Sequence, residues 1–295
     1  MRRLHLWMIL LLLLPVTVYA DELPRPIRTA YDDDLRVQQA LNLYLPEQAA
    51  PPYPTILMIH GGGFLDGSLQ TLSPLARAFQ REGYAVVNIT YRLVPDGIYP
   101  APVEDAFCAL AWVAANAREY DLDMRHLFLL GESAGGYLAT RMATEDEPEA
   151  YLTGCPNAEL GDMRLRGAVV YFPIIDFNAD DFQPIGGALG NALFDGPDAL
   201  RQPVTDERRE QLAAINALND IDSNTPPFLV IHGTDDSLVP PTQSSLLVDA
   251  LKAVGVPADI LLIRDADHGF APLIARGPGA EALAAVLAFM GERLN

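Results

Sequence analysis

Residues 131–136 read Gly-Glu-Ser-Ala-Gly-Gly, directly after an apolar run that ends at Leu130 and directly before a helical pattern that begins Tyr137-Leu138-Ala139. A G-x-S-x-G sequence suits a strand that turns sharply into a helix with the serine at the tip. Glycines two residues either side let strand and helix approach without side chains between them. The free N–H groups of the helix start then face any negative charge that develops on a bound group. Ser133 in that setting is a candidate nucleophile for acyl transfer. The five-residue pattern alone is weak, since a Gly-rich structural turn can produce it. Its place between a buried strand and a helix gives it weight.

A second glycine run, His60-Gly61-Gly62-Gly63-Phe64, also follows a buried apolar run. Successive glycines let backbone N–H groups approach a reacting carbonyl, which an oxyanion hole requires. The expected donors are the N–H groups of Gly62, Gly63 and Ala134, ahead of Gly61. His60 reads as an anchor for that loop.

A serine nucleophile needs a base, and the chain has five histidines. His5 lies in the leading apolar segment, His60 in the glycine loop, His126 at the wrong end of a strand, and His232 ahead of the candidate acids. His268 remains, in Asp265-Ala266-Asp267-His268-Gly269-Phe270 just past the last apolar run. Loops at the carboxyl ends of parallel strands are where reacting groups gather. The acid must hold one imidazole nitrogen of His268. It falls in His232-Gly233-Thr234-Asp235-Asp236-Ser237-Leu238-Val239-Pro240, where the neighbours Asp235 and Asp236 both qualify and one must be a turn residue. His232 reads as a brace for that turn.

The elements that must position these groups are legible as short apolar runs at 55–59, 85–89, 127–130, 168–172, 228–231 and 260–263. Continuous rather than alternating runs predict strands covered on both faces, hence a mostly parallel sheet in an α/β fold with helices on both faces. Alternation over residues 36–45 (Val37, Leu41, Leu43, Leu45) predicts an antiparallel edge hairpin. Apolar spacing predicts helices after Pro102, over 242–254 behind Pro241, and over 279–293. Residues 173–226 interrupt the rhythm with a stretch rich in Gly, Pro, Asn and Asp and one helix at 205–218. An interruption this long predicts a short cap insertion over a site rather than a plain crossover.

Composition bounds the rest. The chain has 295 residues, half of them hydrophobic, and a formal net charge of −19. That size suits one large domain over residues 21–295. The charge excludes nucleic acid and anionic membranes as partners and disfavours strongly anionic substrates. Arg2 and Arg3 followed by apolar residues 4–14, Pro15 and Val18-Tyr19-Ala20 predict a signal peptide over 1–20 with cleavage near Ala20. The run is shorter than the roughly 20 residues that span a bilayer, so membrane insertion is not expected. The mature chain is then exported, periplasmic or extracellular. An oxidising compartment permits a disulfide between Cys108 and Cys155, which sequence alone cannot place. Two cysteines are too few for a structural zinc site.

The same residues resemble the hormone-sensitive-lipase-like branch of the α/β-hydrolases and the related feruloyl- and acetyl-xylan-esterase-like bacterial esterases. The likeness covers roughly residues 36–295. It rests on His60 to Gly63, on Tyr91-Arg92-Leu93 with Pro100-Ala101 and Glu104-Asp105, on Gly131 to Gly136, and on the Asp and His loops. The order serine, acid, histidine belongs to the α/β-hydrolase fold. In that branch the acid lies four residues after the His-Gly histidine and three before Val-Pro, which selects Asp236. The resemblance implies a carboxylic-ester hydrolase working through Ser133, His268 and Asp236, with a small-molecule ester as partner and neither metal nor organic cofactor. It implies a structural role for Tyr91-Arg92-Leu93 and Glu104-Asp105. Capped members carry a longer helical N-terminal segment, so this site reads as more open and short acyl or sugar and aryl esters are favoured. Phe64, Phe172 and Phe270 are candidate pocket linings. The competing expectations are an amide-bond hydrolase with the same triad, such as a small peptidase or arylformamidase, and a catalytically silent binding module on the same fold.

Overall fold

The computed structural model describes residues 23–32 and 38–294. The segment 1–20 expected to be a signal peptide, with His5, and Val37 fall outside the described residues. Apolar runs become strands because their residues bury on alternate faces of one sheet. Eight strands among the described residues pair in the order β1-β2-β4-β3-β5-β6-β7-β8. They are β1 (Ile27–Ala30), β2 (Ala40–Tyr44), β3 (Tyr53–Ile59), β4 (Ala85–Ile89), β5 (Leu122–Glu132), β6 (Leu165–Tyr171), β7 (Phe228–Gly233) and β8 (Ala258–Ile263). The pairings from β4 to β8 are parallel, and β1 and β2 form an antiparallel edge.

The helices are α1 (Ser73–Arg81), α2 (Ala101–Asn116), α3 (Ala134–Thr144), α4 (Ile185–Asp195), α5 (Asp206–Ala214), α6 (Thr242–Ala253) and α7 (Pro278–Gly291). Successive strand residues serve two separate cores, as the period of two requires. Leu57, Leu129 and Val170 join a core with Val103, Leu138 and Leu247 from α2, α3 and α6. Ile56, Met58, Phe128 and Leu130 join the other with Phe79 and Val286 from α1 and α7. Each such buried side chain contributes about 1.5–3 kcal/mol. No described helix is long and apolar enough to cross a membrane.

Two expected elements differ. The edge hairpin forms, but its first strand is β1, which carries no apolar run because half of it faces solvent. The interruption between β6 and β7 holds α4 as well as a shorter α5. Three glycines in Ile185–Asp195 disguise α4 as a loop. They are there for close packing: a Cβ on Gly186 would stand 2.5 Å from the Phe177 carbonyl oxygen, and one on Gly190 2.5 Å from Leu212. Thr205 caps α5 by accepting the Arg208 N–H at 3.1 Å.

Arg92 and Asp105 act structurally. The buried Asp105 carboxylate accepts from Arg92 N at 2.7 Å, from the Arg92 guanidinium at 2.9–3.0 Å and from Gln39 at 2.8 Å. This ties β2, the loop after β4 and α2 into one unit.

Cys108 on α2 is bridged to Cys155, 47 residues away in sequence. Closing a loop of that length removes about 4 kcal/mol of unfolded-state freedom in the chain-entropy view. Cys155→Ala is expected to cost about 2–5 kcal/mol. Melting with and without reductant measures it: wild type shifts down on reduction and the variant does not.

Candidate active site

The strand β5 ends at Glu132, and Ser133 stands between it and α3 with φ 53° and ψ −118°. That is a strained region for a residue with a Cβ, and such strain collects at functional sites. The turn is held by Ser133 N donating to Tyr171 O at 2.9 Å and Tyr137 N donating to Ser133 O at 3.0 Å. The glycines are required by contact. A Cβ on Gly131 would stand 2.1 Å from Gly135 O, and one on Gly135 would stand 2.3 Å from Ile59 O and 2.4 Å from His60 O. So α3 can start directly against the end of β3 only because nothing projects from either position.

The end of β3 delivers the second glycine run. Gly62 and Gly63 lie at φ 110° and 63°. A Cβ on Gly62 would fall 1.9 Å from Asp66 O, since Leu65 N and Asp66 N both donate to Gly62 O at 3.1 Å. Among the described residues neither the Gly62 nor the Gly63 N–H donates to a backbone carbonyl. The Ala134 N–H is in the first turn of α3, where an intrahelical acceptor does not exist. A Cβ on Gly61 would touch the Ser133 Cβ at 3.0 Å, so the loop and the serine are immediate neighbours.

The histidines sort by which nitrogens are already used. In His60, Nδ1 donates to Gly61 O at 2.7 Å and Nε2 accepts from the Thr90 hydroxyl at 2.9 Å. Its ring stacks on Tyr91 at 4.7 Å, and burial lowers its pKa, so it is a neutral anchor. In His232, Nδ1 accepts from Ser244 at 2.6 Å, while Nε2 donates to Val239 O at 2.9 Å and lies 3.2 Å from Asp236. In His126, Nδ1 donates to Asp123 and Nε2 accepts from Arg166. In His268, Nδ1 donates to Asp236 Oδ2 at 2.8 Å and Nε2 is uncommitted. His268 alone of these four keeps a ring nitrogen for other work. The Ser133 hydroxyl makes no hydrogen bond to it in this conformation. Such contacts commonly tighten only when substrate is bound.

Asp236 and not Asp235 faces His268. The Asp236 side chain is fully buried, and its Oδ1 accepts from Leu238 N at 2.9 Å and Val239 N at 2.8 Å. Burial would raise its pKa, but hydrogen bonds from His232 and His268, the charge of His268 and the Val239 N–H together hold it well below the usual carboxylate range. Asp235 is exposed and, among the described residues, its side chain accepts only from the Thr234 hydroxyl, at 3.0 Å. Two residues that sequence reasoning did not single out stitch the acid and base loops together. Asp267 Oδ1 accepts from Ser237 N and Oγ at 2.9 Å and from His268 N at 2.8 Å, and Thr234 Oγ1 accepts from Asp265 N at 2.9 Å. The Asp267 pattern spans two loops, so a local sequence window carries no trace of it.

The three phenylalanines expected to line a pocket are interior. Phe64, Phe172 and Phe270 are 1%, 0% and 3% exposed. Phe64 packs against Tyr91, Tyr137 and Phe177. Phe172, at φ 36°, packs against the His268 ring at 4.4 Å and against Phe270 at 5.1 Å. An aromatic residue next to a sheet end fills the space under the loops before it can face solvent. Phe172 and Phe270 form a wall behind the imidazole instead. The insertion reaches the glycine loop, with Leu189 of α4 3.1 Å from a Cβ placed on Gly63, and Tyr137 of α3 donates to Ile215 O at 2.9 Å. The concavity of about 460 Å³ between α2, the end of α3 and the Pro226-Pro227 turn lies at the other end of the sheet and contains none of these groups.

A mostly parallel sheet with a serine elbow, a glycine loop and a histidine–aspartate pair at its carboxyl edge defines an α/β-hydrolase. The chain belongs to the BD-FAE family, whose pattern it matches over residues 41–251. It is 31% identical over 244 residues to the Mycobacterium tuberculosis protein named "Probable carboxylic ester hydrolase LipM", covering 81% of this chain and 54% of that one. It is 28% identical to esterase LipC of the same organism, covering 88% and 64%. The chain thus spans between half and two thirds of the length of these relatives. Esterase B of Lactobacillus rhamnosis has the same fold, with a TM-score of 0.74 at 24% identity over 94% of this chain and 90% of that one.

Proposed function

We propose that this chain is a serine carboxylesterase that hydrolyses short-acyl or sugar and aryl esters. The observation that carries it is the buried Asp236–His268 hydrogen bond, which leaves Nε2 uncommitted, together with the strained serine elbow that follows β5. His268 takes the Ser133 proton through Nε2 as Oγ attacks the ester carbonyl. The oxyanion is held by the N–H groups of Gly62, Gly63 and Ala134, each worth about 2.7–4 kcal/mol by the usual effect of removing one donor. His268 then protonates the leaving alcohol, and water attacks the acyl-enzyme by the same route in reverse. Asp236 keeps the imidazole in the Nδ1–H tautomer and stabilises the imidazolium.

Membership of the BD-FAE family and the ester-hydrolase names of LipM and LipC support ester bonds over amide bonds. Export after cleavage near Ala20 is part of the same proposal, and the Cys108–Cys155 bridge supports an oxidising compartment. A panel of p-nitrophenyl esters of increasing chain length, acetylated and feruloylated sugars, and aminoacyl-anilides tests the reading. Turnover is expected on acetyl, butyryl and sugar esters and to fall away with long acyl chains. Faster cleavage of anilides than of any ester would replace it with an amide hydrolase.

A further inference from the structure

The residue before the nucleophile is a carboxylic acid with no role in the triad. Glu132 ends β5, is 5% exposed, and its Oε2 is buried without a hydrogen-bond partner. A buried carboxyl oxygen left without a partner is costly, so a retained one calls for an explanation. Its surroundings supply one. Ile59 pairs with Gly131 between β3 and β5, so the segment His60-Gly61 runs beside Glu132-Ser133. A Cβ on Gly61 would lie 3.4 Å from Glu132 Cγ and 3.0 Å from Glu132 O, so the Gly61 backbone packs directly against the Glu132 side chain. Glu132 therefore sits against the residue from which the Gly62-Gly63 turn departs.

We propose that Glu132 is a positioning residue for the oxyanion hole: its carboxyl holds the Gly61 amide, and through it sets the direction of the Gly62 and Gly63 N–H groups relative to Ser133. This rests on the acyl-transfer reading above and adds a residue to it. The groups facing Glu132 are the Gly61 amide after β3, Tyr91 after β4, Tyr171 on β6 and His268 after β8. The Tyr91 hydroxyl is spent on His60 O at 3.2 Å. The Tyr171 hydroxyl is buried without a partner, and Tyr171 pairs with Glu132 across β5 and β6, so both side chains leave the sheet on one face.

Burial pushes the Glu132 pKa up, against the lowering effects of the Gly61 amide and His268. Neutral or ionised, the carboxyl can accept from Gly61. Glutamine keeps the acceptor and the volume. Alanine keeps neither the acceptor nor the volume.

The test compares kcat and KM for p-nitrophenyl acetate in Glu132→Ala, Glu132→Gln and Ser133→Ala, with folding checked by near-UV circular dichroism. Glu132→Ala is expected to lower kcat by about 10–100-fold with KM within about twofold, less than the roughly 10²–10³ lost with an oxyanion donor itself. Glu132→Gln is expected to restore most of that kcat. Should Glu132→Ala not fold, Glu132→Met fills the volume without an acceptor and takes its place. A wild-type kcat in the alanine or methionine variant, or a glutamine variant as slow as alanine, overturns the inference. Either result beside an inactive Ser133→Ala leaves the triad reading standing, whereas an active Ser133→Ala removes the reading on which this one rests.

Discussion

Ser133→Ala will lower ester hydrolysis by about 10⁶-fold, the loss typical of removing a triad nucleophile. That corresponds to about 8 kcal/mol of transition-state stabilisation. The fold should survive unchanged. Alanine shares the Cβ that makes φ 53° strained, so the backbone cost is already present in the wild type. The hydroxyl takes part in none of the hydrogen bonds that hold the elbow, which run through backbone atoms to Tyr171 and Tyr137. Its loss orphans no buried partner, so the melting temperature should stay within a few degrees. Initial rates on p-nitrophenyl acetate, melting curves, and labelling by a fluorophosphonate check all three points. Labelling should vanish with Ser133 and occur once per chain in wild type. Hydrolysis by the variant at the wild-type rate would move the nucleophile elsewhere.

The sequence exposes these groups unevenly, for physical reasons. A buried parallel strand must be apolar on both faces, so β3 to β7 announce themselves. β1 is half exposed and carries no such signature. Glycine marks the serine elbow and the His60–Gly63 loop because backbone atoms there approach within distances that forbid a Cβ. The same residue hides α4, where glycines serve helix packing and lower the apparent helix propensity. The base emerges by elimination among few histidines. Its partner does not, since Asp235 and Asp236 differ only in which way one turn points them. Only a family spacing separates them in sequence. In the structure the distinction is burial: one is enclosed by two imidazoles and two backbone amides, and the other faces water. Aromatic residues near strand ends are the least legible, because Phe64, Phe172 and Phe270 have the composition of a pocket and the positions of a core.

Asp236→Asn should lower kcat by about 10⁴-fold, as loss of the orienting carboxylate does in triads of this kind, while Asp235→Asn stays within a few-fold. The wild-type carboxylate accepts four hydrogen bonds or close polar contacts: His268 Nδ1 at 2.8 Å and His232 Nε2 at 3.2 Å on Oδ2, and Leu238 N and Val239 N on Oδ1. Asparagine offers one acceptor oxygen and one NH₂, so it cannot serve both pairs. With NH₂ toward the rings, His268 must carry its proton on Nε2 and cannot accept one from Ser133. With NH₂ toward the backbone, two amides meet a donor and the turn is broken. Either arrangement leaves a buried donor unmet, at a cost of about 1–3 kcal/mol in stability. The sign with pH follows. A carboxyl held below its unfolded pKa of about 3.9 adds stability above that pH and loses it as pH falls. Wild type should therefore lose, as pH falls below about 4, stability that Asp236→Asn never had, and their denaturation midpoints should converge in acid. Among the described residues the Asp235 side chain accepts only from Thr234, which an asparagine oxygen can match. Steady-state kinetics at neutral pH and urea melts from pH 7 down to 3 decide the matter. If Asp235→Asn proves the more damaging, the acid has been assigned to the wrong neighbour.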